Sequence, residues 1–163
     1  MRRVVSLFLP TWSTDRLRRQ TAKQPPDQTG TTPAFLVTAV PDHSRRIIAS
    51  VDAATRALGV SAGMTVTKAR ALVPELDVVD ADPEADFDGL RRLALWAGRR
   101  YSPHVAPDPP NGLWLDITGC ASLFSTERAL LKDLNRRVAA SGLAVQIAVA
   151  DTAGCALVLH PFL

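Results

Sequence analysis

The sequence predicts an α+β fold: a βαββαβ-like order forming a mixed sheet with helices packed on one face, plus a small module inserted after the first strand. Three observations lead there. Val4–Leu9 is a short apolar run, interrupted only by Ser6 and ended by Pro10. Residues 82–100 carry apolar side chains at helical spacing. From Leu113 to Ala150, strand-like and helix-like segments alternate. The chain has 163 residues, 47% of them hydrophobic, which suits one ordinary domain or a domain with a satellite. Its apolar runs are far shorter than the roughly 20 residues of a membrane span, and Arg2-Arg3 precedes too short a run to be a secretory signal. A soluble, cytoplasmic protein is expected. Cys120 and Cys155 lack the spacing of a zinc site or disulfide framework; both read as small core residues.

Element by element, Val4–Leu9 is a buried strand, and Thr11 or Ser13 caps a basic helix to Arg19. Residues 22–32, with two prolines and a glycine, form a loop. Ala34–Val40 and Arg46–Val51 are strands joined by Pro41-Asp42-His43-Ser44, a turn that favours antiparallel pairing. Asp52 caps a helix ending at Gly59; Thr65 caps another, stopped by Pro74. Asp77–Asp80 is a short strand. Asp82-Pro83-Glu84 starts the long helix, with Phe87, Leu90, Leu93 and Ala97 as its apolar positions and Ala94 and Leu95 nearby. Leu113–Ile117 is a strand, Ser125 caps a helix to about Ala140, and Leu143–Ala150 is the last strand. Asp151 or Thr152 caps a final helix, apolar nearly all round, which points to a longer parent protein. These elements make residues 1–10 and 77–163 one domain and 11–76 the inserted module.

Charge is uneven. Residues 1–70 hold eleven bases and four acids, residues 71–90 seven acids and no base, and residues 91–163 eight bases and five acids. A basic first segment suits a phosphate-tracking surface or a solvated face. The acids of 71–90 largely belong to a helix start. His43, His104 and His160 share no spacing that makes a metal site or a base–nucleophile pair. Trp96 and Trp114 read as packing residues, while Trp12 is placed to fill space beside the end of the first strand.

Three segments together resemble the N-terminal part of the Y-family translesion DNA polymerases, in particular their polymerase-like mutagenesis members that lack the catalytic carboxylates. Val51 to Glu75 is similar to the family's fingers stretch Y-E-A-R-K-x-G-V-x-x-G-M…A…P, with Arg56, Gly59, Gly63, Met64 and Pro74 in register. Arg100 to Cys120 resembles Y-S-P-x-V-E…S-I-D-E-A-Y-L-D-V-T-G, and Val145 to Leu159 resembles G-I-A-x-N-K-x-x-A-K-x-A. The resemblance implies a ferredoxin-like polymerase palm with an inserted fingers module; the family's thumb and little finger would lie beyond this chain.

The departures from the family pattern carry the functional expectation. Where the family's first strand reads V-D-M-D-A-F-Y, this chain has Leu7-Phe8-Leu9-Pro10-Thr11-Trp12-Ser13. Phe8 and Pro10 replace its acids, and Ser13 replaces the aromatic that gates ribonucleotides. Where S-I-D-E stands, the chain has Pro109-Pro110-Asn111-Gly112, so Asn111 and Gly112 replace two more acids. Ala53, Ala153 and Leu157 stand where the nucleotide pocket has a tyrosine and two lysines. Two-metal phosphoryl transfer needs clustered carboxylates, so the expectation is a non-enzymatic protein with no metal and no cofactor. Arg56, Arg45, Arg46, Lys68 and Arg70 are the candidate phosphate-binding residues, each equally readable as an exposed surface cation. The resemblance implies a scaffold in damage-induced translesion synthesis, expressed in an SOS-type response. It would bind DNA or recruit an error-prone replicative-type polymerase, a RecA-like accessory protein and the sliding clamp. Two rivals stay open: an active, diverged polymerase using Asp116 with Asp15 or Asp108, and a protein-docking domain without DNA contact.

Overall fold

The computed structural model describes residues 2–23 and 33–151. The chain divides into two compact units, one made of Met1–Pro10 with Pro83–Leu163 and the other of Thr11–Asp82.

The first unit is a four-stranded sheet, order β5-β6-β1-β7, from β1 (Val4–Phe8), β5 (Val105–Asp108), β6 (Gly112–Asp116) and β7 (Gln146–Ala150). Every neighbouring pair in it is antiparallel. Val5, Leu7 and Leu9 alternate onto one face with Leu113, Leu115 and Ile117, all at most 1% exposed. Leu90, Ala94 and Ala97 of α4 (Pro83–Arg100) and Leu130, Leu134 and Val138 of α5 (Glu127–Ala140) supply the unit's buried helix residues. The two helices are tied to each other through Asp133 of α5. Its carboxylate accepts from the Tyr101 hydroxyl at 2.9 Å and lies 3.9 Å from the Arg100 guanidinium. Trp96 packs edge-on to the Tyr101 ring at 5.6 Å, and Phe124 stacks on it at 5.5 Å. At the other end, Arg3 donates two bonds to Glu127, at 2.6 and 2.8 Å, and one to Asp151 at 2.7 Å. Three elements are thereby joined at the start of β1.

The second unit holds α1 (Trp12–Thr21), the hairpin β2 (Leu36–Asp42) and β3 (Arg45–Val51), the short helices α2 (Ala53–Ala57) and α3 (Val66–Leu72), and β4 (Asp77–Asp80). Its sheet, order β3-β2-β4, is mixed: β2 pairs antiparallel with β3 and parallel with β4. Val37, Ala39, Ile48, Val51, Val60, Val66, Ala69, Val73 and Leu76 form the core.

Several local expectations are corrected. β4 aligns Leu36 with Asp77, so residues 77–82 belong to the second unit and not to the first. β5 is an element the sequence hid, because Pro107 and the following prolines argue against a strand; it is tolerated as the edge of its sheet. Thr126 caps α5, accepting from the Ala129 amide at 3.1 Å, while Ser125 has positive φ and is outside the helix. At α1 the Thr11 hydroxyl bonds the Asp15 carboxylate at 2.7 Å and does not cap the helix backbone. Phe87, expected among the apolar positions of α4, is exposed, and so is the nearby Leu95. Cys120 lies half-exposed in a 3-10 turn, Cys120–Phe124, rather than in the core. Trp12 is buried; Trp96 and Trp114 are half-buried. The expected final helix and Cys155 lie outside the described residues, as do Ala153, Leu157 and His160.

Candidate functional site

The positions where the resemblance calls for metal ligands fall at one end of the four-stranded sheet. Leu113 and Leu115 of β6 face the helices, so Gly112, Trp114 and Asp116 face the other way. Pairing then sets out two rows on that opposite face. One runs Asp108, Gly112, Phe8, Gln146 across β5, β6, β1 and β7; another runs Ala106, Trp114, Ser6, Ala148. Asn111 sits in the turn before β6, where its carbonyl accepts from the Leu9 amide at 2.9 Å.

A two-metal centre does not fit the first row. Hard divalent cations about 3.5–4 Å apart need shared carboxylate oxygens. The row offers a benzyl ring, a glycine, the amide of Gln146 and one carboxylate, Asp108. Asp116 is on the same face but four residues further along β6, about 13 Å away at strand rise. Its carboxylate is also engaged, accepting from the Thr118 amide and from Arg2, both at 3.1 Å. The bonds from Thr118, then Arg2, hold it below the usual aspartate range. Asp15 is taken by the Thr11 hydroxyl. Among the described residues, no three His, Cys, Asp or Glu side chains group closely enough to hold a metal ion. Gly112 is further constrained: a Cβ there would lie 3.2 Å from the Asp108 carbonyl oxygen and 3.3 Å from both the Asp108 Cβ and the Leu7 carbonyl oxygen.

A basic groove lies in the second unit. Asp52, 3% exposed, caps α2 by accepting from the Thr55 amide at 2.8 Å, and its other oxygen bonds Arg18. Arg18 also reaches the Pro33 and Ala34 carbonyls at 2.7 and 3.3 Å. This clamp starts the helix that carries Arg56. Gly59 and Gly63 follow with φ near +90° and +86°, the left-handed region that explains both glycines of the fingers-like stretch. The Gly63 amide donates to Ile48 O at 2.9 Å, and the Ile48 amide to Met64 O at 2.8 Å. Thr65 therefore bridges to Ile47, and the start of α3 comes to lie beside the start of β3.

The result is a groove of about 390 Å³ lined by Ser44, Arg45, Arg46, Thr65, Val66, Thr67 and Arg70. Arg46 is partly neutralised by an ion pair with Asp80. Arg45 and Arg70 are exposed and have no ion pair or side-chain hydrogen bond among the described residues. Arg56 and Lys68 are likewise exposed and unpaired, but do not line the groove. Two free guanidiniums beside three hydroxyls can take up an oxyanion such as a phosphate. The sequence reading picked the arginines and missed Ser44, Thr65 and Thr67, because only the 47–65 bridge brings them together. Of the pocket-position residues, Ser13 is half-buried in α1 and Ala53 is exposed at the first turn of α2.

Comparison with known proteins identifies the family and the fold. The family model described as "impB/mucB/samB family" matches residues 31–160. Protein ImuB from two strains of Caulobacter vibrioides is 45% identical over 105 residues, which is 64% of this chain and 23% of ImuB. Among solved structures, the insertion ternary complex of Dbh DNA polymerase superposes with TM-score 0.73 at 17% identity, covering 96% of this chain and 44% of that one. DinB from Sulfolobus solfataricus gives 0.70 at 18% identity, covering 97% and 44%. The fold is thus that of the Y-family polymerase palm region, and this chain spans less than half of any of these relatives. With a matching family model over most of its length and a 45% identical relative, the chain belongs to the impB/mucB/samB (IMS) family.

Proposed function

We propose that this chain is the palm-and-fingers part of a Y-family polymerase-like protein that no longer transfers nucleotides and serves as a scaffold in translesion synthesis and DNA-damage-induced mutagenesis. The observation that carries the reading is the sheet row Asp108, Gly112, Phe8, Gln146, with the remaining same-face carboxylate about 13 Å off along β6. Without clustered acids there is no electrostatic clamp for a transferring phosphoryl group. Membership in a family with polymerase relatives, together with unpaired Arg45 and Arg70 in a groove, supports retained contact with the DNA backbone. In the whole protein the scaffold would recruit an active error-prone polymerase, with a RecA-like accessory protein and the sliding clamp engaged largely through other regions. A cytoplasmic location in an SOS-type response completes the proposal; among the described residues no helix is long and apolar enough to cross a membrane.

Two experiments test it. Primer extension with Mg²⁺ or Mn²⁺ should give no incorporation; incorporation abolished by Asp116→Ala or Asp108→Ala would establish the active-polymerase rival. Single-stranded DNA binding should weaken steeply with salt, with log affinity falling at a slope of about −2 for three phosphate contacts. Absence of binding at low salt would leave the reading of a docking domain without DNA contact.

A further inference from the structure

The outward side of α5 carries charge that neither the sheet end nor the basic groove uses. Leu130, Leu134 and Val138 recur every four residues along the helix and are buried. Arg128, Lys132 and Arg136 recur at the same interval but two residues out of step, which puts them about 200° round the helix. All three are exposed, and Arg128 and Lys132 have no ion pair or side-chain hydrogen bond among the described residues. Like charges at this spacing weaken a helix. Beside the stripe, one carboxylate is shared by three guanidiniums: Asp133 accepts from Arg136 at 2.6 Å and from Arg137 at 2.8 Å, and Arg100 lies 3.9 Å away. The bonds from Arg136 and Arg137 hold Asp133 well below the usual aspartate range, so it stays ionised. Arg100, Arg128, Lys132, Arg136 and Arg137 thus stand against a single anion. The other acid of α5, Glu127, is occupied by two bonds from Arg3. The acids of α4, Glu84, Asp86 and Asp88, are confined to its first two turns.

Folding does not call for this excess, because one guanidinium in a bidentate pair already satisfies a carboxylate. The excess points to an external anion, and the surroundings select which. α5 has no exposed large hydrophobic side chain, whereas the core of a protein contact surface is apolar and depleted of charge. The nearby rings of Trp96, Tyr101 and Phe124 pack on one another and none is exposed, so unpaired bases find no stacking platform. What remains is a row of charges on a convex helix face. Duplex DNA, with one charge per roughly 1.7 Å of axis, is the polyanion that such a row fits without rearrangement. The stripe spans about 12 Å from Arg128 to Arg136, the rise of three to four nucleotides along one strand of a duplex. We propose that the outward side of α5 is a contact surface for the sugar–phosphate backbone of duplex DNA, with Arg128, Lys132 and Arg136 on its phosphates and Arg100 and Arg137 beside them. The surface belongs to the first unit, and the inference does not depend on the Arg45–Arg70 groove of the second.

The probe is a fluorescein-labelled blunt DNA duplex, titrated with the 163-residue chain and read by fluorescence anisotropy at several salt concentrations. Log affinity should fall with log salt at a slope of about −2.7, for three phosphates at about 0.9 each. Arg128→Ala and Lys132→Ala should each lower that magnitude by about 0.9, while Arg45→Ala, outside the surface, should leave it unchanged. Both side chains are exposed and each substitution removes a like-charge pair, so the thermal midpoint of neither variant should fall. Amide shift changes in labelled protein should centre on residues 127–137. A polyglutamate peptide of equal charge is the competitor for an acidic protein partner, and it should displace the duplex poorly. The proposal is overturned if the duplex does not bind at low salt, or if Arg128→Ala and Lys132→Ala change the slope no more than Arg45→Ala does. Shifts centred on residues 44–70, or displacement of the duplex by polyglutamate at equal charge, overturn it as well.

Discussion

Replacing Gly112 by alanine tests how firmly the sheet end is committed to having no side chain. Two effects oppose each other. A glycine in a strand interior costs roughly 0.5–1 kcal/mol relative to alanine, so an unhindered replacement would stabilise. Against this, the new methyl group would sit 3.2–3.3 Å from two carbonyl oxygens and a Cβ, on β5 to one side and β1 to the other. Those atoms are held by the sheet and cannot rotate away, and overpacking of this kind costs about 1–3 kcal/mol. The unfavourable effect wins, and Gly112→Ala should lose about 1–2 kcal/mol in urea unfolding with an unchanged m-value. Gly98 on α4 is the internal control. A Cβ there meets nothing within 4 Å, so Gly98→Ala should gain about 1 kcal/mol. If Gly112→Ala matches the Gly98 variant in sign, the crowding argument is wrong. The functional corollary is that Gly112→Glu, even combined with Phe8→Asp, restores neither a folded metal site nor primer extension.

Asp52→Ala should cost about 2–4 kcal/mol, since it removes both the α2 cap and the Arg18 partner, while Asp52→Asn should recover about 1 kcal/mol by keeping the cap. Tyr101 is the only tyrosine, so absorbance at 295 nm follows it alone. Burial and the bond to Asp133 push its phenol up to about 12; its ionisation should therefore lag that of unfolded chain, and stability should fall as pH rises from about 10 through 12. Glu127 is held below its usual range by Arg3, so the contribution is present above pH 4.5 and is lost as pH falls through the lowered value. Glu127→Gln should flatten that acid limb in thermal unfolding. Arg45→Ala and Arg70→Ala should each reduce the magnitude of the salt slope of single-stranded DNA binding by about 0.7, and equal slopes would remove the groove from the interface.

The parts of the fold readable in the sequence are those where one residue type has one local use. Asp52 and Thr65 cap their helices as expected because each side-chain oxygen precedes a helical run and bonds the amide three residues on. Gly59 and Gly63 were legible for a similar reason: their positive φ is a local requirement. The α+β class followed from the periods of β1, α4 and α5. What was not legible depends on partners distant in sequence. Pro107 disguised β5, since nothing local says that the strand will be at an edge. β4 was assigned to the wrong unit because only pairing with β2 places it. Phe87 fits the helical period of α4 yet is exposed, since a period does not say where the apolar stripe ends. At the candidate site, the positions Phe8 and Gly112, where the resemblance implies that carboxylates are replaced, were picked from the motifs alone. The 13 Å separation of Asp116 from that row needed the register of β6.

Manganese-induced line broadening tests the central claim most directly, because it reports a divalent cation at the sheet end whether or not turnover follows. In a titration of isotopically labelled chain, the amides of Phe8, Asn111, Gly112 and Asp108 should broaden no more than exposed amides elsewhere. Saturable broadening centred on those four residues, relieved by Mg²⁺, would mean that the site still holds metal and that the scaffold reading is wrong.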